Sequence, residues 1–214
     1  MGWKTYTIFC TDQPGYFEQR PIHDPVRAEK LLSRLGLNEY DLVKPHTQVN
    51  DYPSSGDLYI GAYERGLVIA NTTLAALLFD DNSRTKNFGR VKDNPDFRKN
   101  IHTLYPNGEV IALILHSVVN MWGYSVYQRG ELIRSASGAE GEFYGSIGDP
   151  LPEEQAVLAE HPIELIDTGD LIYSEDLVFD VSQRVLGCRY DEASVDELEC
   201  SYFKRRSFLK NLFR

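Results

Sequence analysis

His116 stands at the end of an apolar run, Val110 to Leu115, and is followed by Ser117, Asn120, Trp122 and Tyr124. An imidazole fixed at a strand end can serve a cleft as general base or as ligand, because its ordinary pKa lies close to neutrality. If the strand continues, Asn120, Trp122 and Tyr124 share a face with His116, since side chains alternate along a strand. A face of that kind, part polar and part aromatic, suits a ligand pocket. The competing account is structural: a histidine closing an apolar strand commonly ends half-buried and hydrogen-bonded, and Trp and Tyr serve equally well as core bulk with one polar tip.

A second group of reactive side chains lies between Ser137 and Asp149, where glycines at 138, 141, 145 and 148 separate Glu140, Glu142 and Asp149. Carboxylates of this kind are oxygen ligands for magnesium or calcium, and with His116 as base they would make a divalent-metal-dependent hydrolase or transferase. The same charges repel phosphate. The glycine spacing matches neither the Walker loop, which needs a following Lys-Ser or Lys-Thr, nor the dinucleotide fingerprint. An acidic surface loop that holds nothing is the plainer account. Cys10 and Ser117 are the candidates for nucleophilic chemistry, but neither sits in a G-x-S-x-G or cysteine-protease context, and a buried Cys acts mainly as a small apolar residue. No cofactor is named by any of these residues.

The elements that must position these groups are readable in part. Lys4 to Cys10 is rich in β-branched and aromatic residues and stops at Asp12-Gln13-Pro14-Gly15, which predicts a first strand. Val26, Ala28, Leu31, Leu32 and Leu35 have helical spacing, with Asp24 placed as cap, Pro25 at the first position and Gly36 beyond the end. Asp57 to Tyr63 and Leu67 to Ala70 read as a hairpin in which Gly66 supplies positive φ, and the same Tyr-x-Arg-Gly turn recurs at Tyr127 to Gly130, a hint of duplication. Asn71 to Phe79 reads as a short helix, residues 80 to 100 as a surface excursion, and Val110 to Leu115 as a strand covered on both faces. Pro150 to Glu160 and Ser174 to Leu186 read as helices. Strands in the middle and helices toward both ends predict an α+β fold with a mainly antiparallel sheet and helices packed on it.

Composition narrows the function classes. With 214 residues the chain has room for one domain, taken as residues 1–200. Its 22 Lys and Arg against 32 Asp and Glu give a net charge of −10, which disfavours a nucleic-acid binder that wins affinity by neutralising phosphates. No apolar stretch is long enough for a membrane span, and Met1 to Tyr6 resembles no leader. The three cysteines, Cys10, Cys188 and Cys200, form no C-x-x-C pair; they imply neither a disulfide framework nor zinc, and a cytoplasmic location is expected. Residues 201–214 differ from the rest, carrying Lys204, Arg205, Arg206, Lys210 and Arg214 with no acid, and Phe208, Leu209, Leu212 and Phe213 at helical spacing. A basic amphipathic tail like this can lie on anionic lipid, on an acidic partner, or on the acidic run from Asp191 to Glu199 of its own chain.

The run Leu115 to Asn120, then Gly130 to Ser135, then Ile147-Gly148-Asp149-Pro150-Leu151-Pro152-Glu153, resembles a family of small bacterial proteins catalogued only as a domain of unknown function. The likeness covers residues 50 to 165 and implies a shared fold and a pocket near His116, but no reaction. With no catalytic motif present, the sequence favours a binding or interaction module acting on a protein partner or small ligand through the face around His116, Asn120, Trp122 and Tyr124. The metal-dependent enzyme using Glu140, Glu142, Asp149 and His116 stands as the alternative.

Overall fold

The computed structural model describes residues 2–80, 84, 88, 93–139, 142–160 and 172–206. The strands are β1 (Lys4–Thr11), β2 (Tyr40–Gln48), β3 (Asp57–Ala62), β4 (Gly66–Ala70), β5 (Glu109–His116), β6 (Met121–Gln128), β7 (Glu131–Ala139), β8 (Glu142–Ile147) and β9 (Glu199–Arg205). They form one sheet in the order β2-β9-β3-β4-β1-β5-β6-β7-β8, and every neighbouring pair is antiparallel. The helices are α1 (Pro25–Arg34), α2 (Thr72–Ala76), α3 (Pro95–Leu104), α4 (Pro152–Glu160) and α5 (Ile172–Leu186). The class is α+β with an antiparallel sheet, as expected, although α2 and α3 fall in the middle of the chain rather than toward its ends. Among the described residues, no helix is long and apolar enough to cross a membrane.

Helices cover both faces of the sheet, so there are two cores. On one face Phe9, Ile111, Leu113, Leu115, Trp122, Tyr124 and Val126 pack with Leu177, Val178 and Val181 of α5. On the other, Ile8, Cys10, Ile60, Ile69, Ala112 and Ile114 pack with Leu31 of α1, Leu74 of α2 and Phe97 and Ile101 of α3. β1 and β5 lie side by side at the middle of the order and are buried on both faces. That is why Val110 to Leu115 is apolar without alternation, and why Cys10 is a core residue whose thiol is pushed up by burial rather than a nucleophile.

Local chemistry sets the element boundaries. The Asp24 carboxylate accepts from the Arg27 N–H at 3.0 Å, Pro25 opens α1, and Gly36 beyond its end takes φ +75°. Asn71 caps α2 by accepting from the N–H groups of Thr73 and Leu74 at 3.0 and 2.9 Å.

Several expectations need correction. Part of the surface excursion expected at 80 to 100 is α3, opened by Asn94, whose side chain accepts from the Phe97 N–H at 3.0 Å. Gly66 does not supply positive φ; it is demanded by space, because a Cβ there would lie 2.6 Å from the Tyr16 ring. The second hairpin does use left-handed backbone, at Arg129 (φ 54°) and Gly130 (φ 81°), so the two similar turns are different structures. Ser201 to Arg205 do not begin a tail. They belong to β9, whose Cys200, Ser201 and Phe203 are buried between β2 and β3. Phe208, Leu209, Lys210, Leu212, Phe213 and Arg214 lie outside the described residues.

Candidate functional site

The four residues expected to share a face do not. The chain leaves β5 at His116, makes a short 3-10 turn through Ser117–Val119, and reverses at Asn120 in left-handed conformation (φ 49°) before β6. The strand that would have kept even-numbered residues in step is therefore interrupted. His116 falls opposite Met121 in register, and Leu115 opposite Trp122. His116 thus lies on the sheet face of Ile114 and Met121, whereas Trp122 and Tyr124 lie in the α5-side core with Leu113 and Leu115. Trp122 packs edge-on against Phe143 at 5.0 Å, and neither it nor Tyr124 is available to a ligand.

What surrounds His116 is a different aromatic group. Its ring lies 5.4 Å from that of Tyr52, which in turn packs on Tyr6 at 5.7 Å and carries the Lys4 ammonium over its face at 4.7 Å. Lys4 is the register partner of His116 across β1 and β5. Burial and the Lys4 charge both push the His116 pKa down, favouring the uncharged imidazole. The turn is pinned to the N-terminal segment: the N–H and the hydroxyl of Ser117 both donate to the Trp3 carbonyl, at 3.0 and 2.9 Å. The Ser117 hydroxyl is spent on that bond. Trp3 leans edge-on against Phe179 of α5 at 5.6 Å. At this end of the sheet Trp3 is 42%, Tyr52 39%, Val118 68% and Val119 46% exposed, Trp3 toward the α5 side and Tyr52 toward the side of His116.

Sequence reasoning singled out His116 but not Tyr52, its ring neighbour, or Trp3, whose carbonyl holds the turn after it; both lie far away in the chain. Val118 and Val119 carried the available signal, since two β-branched residues in a turn have no core to enter.

Of the expected metal ligands, Glu142 and Asp149 are held apart. Glu142 opens β8 and Asp149 follows its end, so a strand of roughly 17 Å separates their positions. His116 is three strands away from β8 in the sheet order, roughly 14 Å. Glu140 lies outside the described residues. Among the described residues no group of three or more His, Cys, Asp or Glu side chains is placed to hold a metal ion.

The loop after β8 is organised by ion pairs instead. The Glu154 carboxylate, fully buried at the start of α4, accepts from Arg134 Nε at 3.0 and 3.1 Å and Nη2 at 2.8 Å, from the Tyr124 hydroxyl at 2.5 Å and from the Leu151 N–H at 2.6 Å. The remaining Arg134 nitrogen donates to the Ser146 hydroxyl at 2.8 Å and the Gly148 carbonyl at 3.0 Å. Desolvation and the neighbouring carboxylate raise the Tyr124 pKa well above its ordinary value, so the phenol stays a donor. Beside this network Arg184 of α5 binds Glu109, and also Glu153 at 3.0 Å. The Arg134 and Glu153-Glu154 stretches of the sequence are therefore a staple between β7, α4 and α5.

One cleft of about 170 Å³ contains a thiol, Cys188, lined also by Glu18 and Glu192. Burial and these acids push that thiol up, the opposite of what a nucleophile needs.

A family model, Family of unknown function (DUF6928), matches residues 5–200, a wider stretch than the resemblance of residues 50 to 165. No curated protein and no solved structure matches the chain.

Proposed function

The chain belongs to this family of unknown function, so its role has to be argued from its own surfaces, and we propose that it is a binding module whose recognition surface is the sheet end around His116. The observation that carries the reading is the exposure of Trp3, Tyr52, Val118 and Val119 at the end of the sheet that holds His116. Aromatic side chains bring large contact area at low entropic cost, and grouped apolar exposure marks interaction surfaces. A protein partner with an apolar face fits such a platform, with His116, Asn120 and Lys4 supplying polar contacts at its edge. The staple of Arg134 and Glu154 is support for the fold in this reading and takes no part in recognition.

We place the protein in the cytoplasm, a location its three free cysteines suit. Nucleic acid is not the partner, given a net charge of −10.

The test compares wild type with a Val118→Glu, Val119→Glu double variant, both positions being exposed on a turn where the change leaves the core intact. Affinity capture from the native cell extract should return a defined partner with wild type and lose it with the variant. Equal capture by both proteins would sink the proposal, as would equal fluorescence enhancement of an apolar dye.

A further inference from the structure

A cleft of about 280 Å³ opens where the start of β2, the end of β9, α2 and the N-terminus of α3 meet. Leu74, Leu77 and Pro95 give it an apolar wall, and Glu39, Asp93 and Arg205 bring charge to the same lining. Asp93 is already engaged, with Arg98 at 3.1 Å and Arg84 at 3.5 Å. Glu39 and Arg205 are engaged far less: their charged atoms approach only to 3.9 Å, and both side chains are about half-exposed. That separation is beyond hydrogen-bond length, so neither group has spent its strongest interaction on the other. The residues bearing the two charges are nevertheless fixed by backbone bonds. The Arg205 N–H donates to the Gly56 carbonyl at 2.9 Å and the Arg206 N–H to the Glu39 carbonyl at 2.8 Å.

A ligand of one sign would satisfy one of these groups and meet like charge at the other. A molecule that carries both signs close together, with an apolar group attached, satisfies both charges and the wall at once. We propose that this cleft binds a free α-amino acid with an apolar side chain, its carboxylate on Arg205, its ammonium on Glu39 and its side chain on Leu74, Leu77 and Pro95. The guanidinium is suited to a carboxylate by its planar pair of donors, and the apolar wall sets the preference among side chains.

Isothermal titration and thermal shift of the full chain with leucine and phenylalanine test this, with leucinamide and N-acetyl-leucine as single-charge controls. Leucine or phenylalanine at millimolar concentration should raise the melting midpoint, and neither control should do so. Arg205→Gln and Glu39→Gln, both at half-exposed positions, should each weaken binding by about tenfold or more. No shift with either amino acid, an equal shift with leucinamide or N-acetyl-leucine, or unchanged affinity in both variants would each overturn the assignment.

Discussion

Glu154 has no contact with water, and its charge is tolerable only because Arg134, Tyr124 and a backbone N–H converge on it. Removing one member of a buried ion pair strands the other, so Arg134→Met should cost about 3–5 kcal/mol in urea unfolding. Tyr124→Phe removes one bond and leaves the ion pair, and should cost about 1–2 kcal/mol. His23 poses the reverse problem. Its Nδ1 accepts from the Ala62 N–H at 3.1 Å, which fixes the neutral tautomer, and its Nε2 donates to the Ser201 hydroxyl at 2.9 Å, which passes its own proton to the Pro45 carbonyl at 2.8 Å. Desolvation lowers its pKa in the folded state. The unfolded chain then binds the proton more readily, so stability should be flat above the ordinary histidine value of about 6.5 and fall as pH drops below it. Asp51, whose pKa burial raises, has the opposite sign and gains stability on acidification, which makes the difference between wild type and His23→Gln the informative curve. If that difference does not change between neutral and mildly acidic pH, the histidine is not buried in its neutral form.

Among the elements, α3 shows why some structure went unread. Asn94-Pro95 repeats the cap-and-proline signature of Asp24-Pro25, but it ends a polar stretch that drew attention to the loop rather than to the helix after it. Asn94→Ala should cost about 1 kcal/mol, measured by thermal or urea unfolding. β2 was invisible for another reason. It is an edge strand, exposed along most of its length, interrupted by two register shifts and carrying Pro45, so it shows no alternation to detect. β9 buries Cys200, Ser201 and Phe203, but its exposed Lys204 and Arg205 looked like the start of a basic tail. The two hairpins divide in the same way: the sequence located both turns, yet only the fold reveals that Tyr16 crowds Gly66. Gly66→Ala forces a Cβ into that ring, whereas Gly130→Ala meets only left-handed strain of about 1 kcal/mol. Circular dichroism melts should place Gly66→Ala clearly below Gly130→Ala. The site followed the same rule. His116 stood out because it ends a recognisable strand; its ring neighbour Tyr52 did not, because it is brought there by the connection between β2 and β3, where the Tyr6 N–H donates to the Asp51 carbonyl at 2.7 Å.

For the molecule as a whole, the decisive feature is the sheet order. β2 and β3 are consecutive in the chain but not neighbours in the sheet, since β9 lies between them and pairs with both. Val49, in the connection from β2 to β3, is buried in the α5-side core and accepts its place through a bond from its N–H to the Leu198 carbonyl at 2.9 Å. A chain ending at Leu198 should therefore lose cooperative unfolding altogether rather than melt at a lower temperature, which a single calorimetric scan would show. Synthesis runs from the N-terminus, so the ribosome delivers β2 and β3 long before the strand that joins them. Until residue 205 clears the exit tunnel, β3 keeps an open edge and β2, which pairs only with β9 among the described strands, has no strand partner. Both strands are templates for pairing with a neighbouring chain, and the hazard ends only when the last strand arrives.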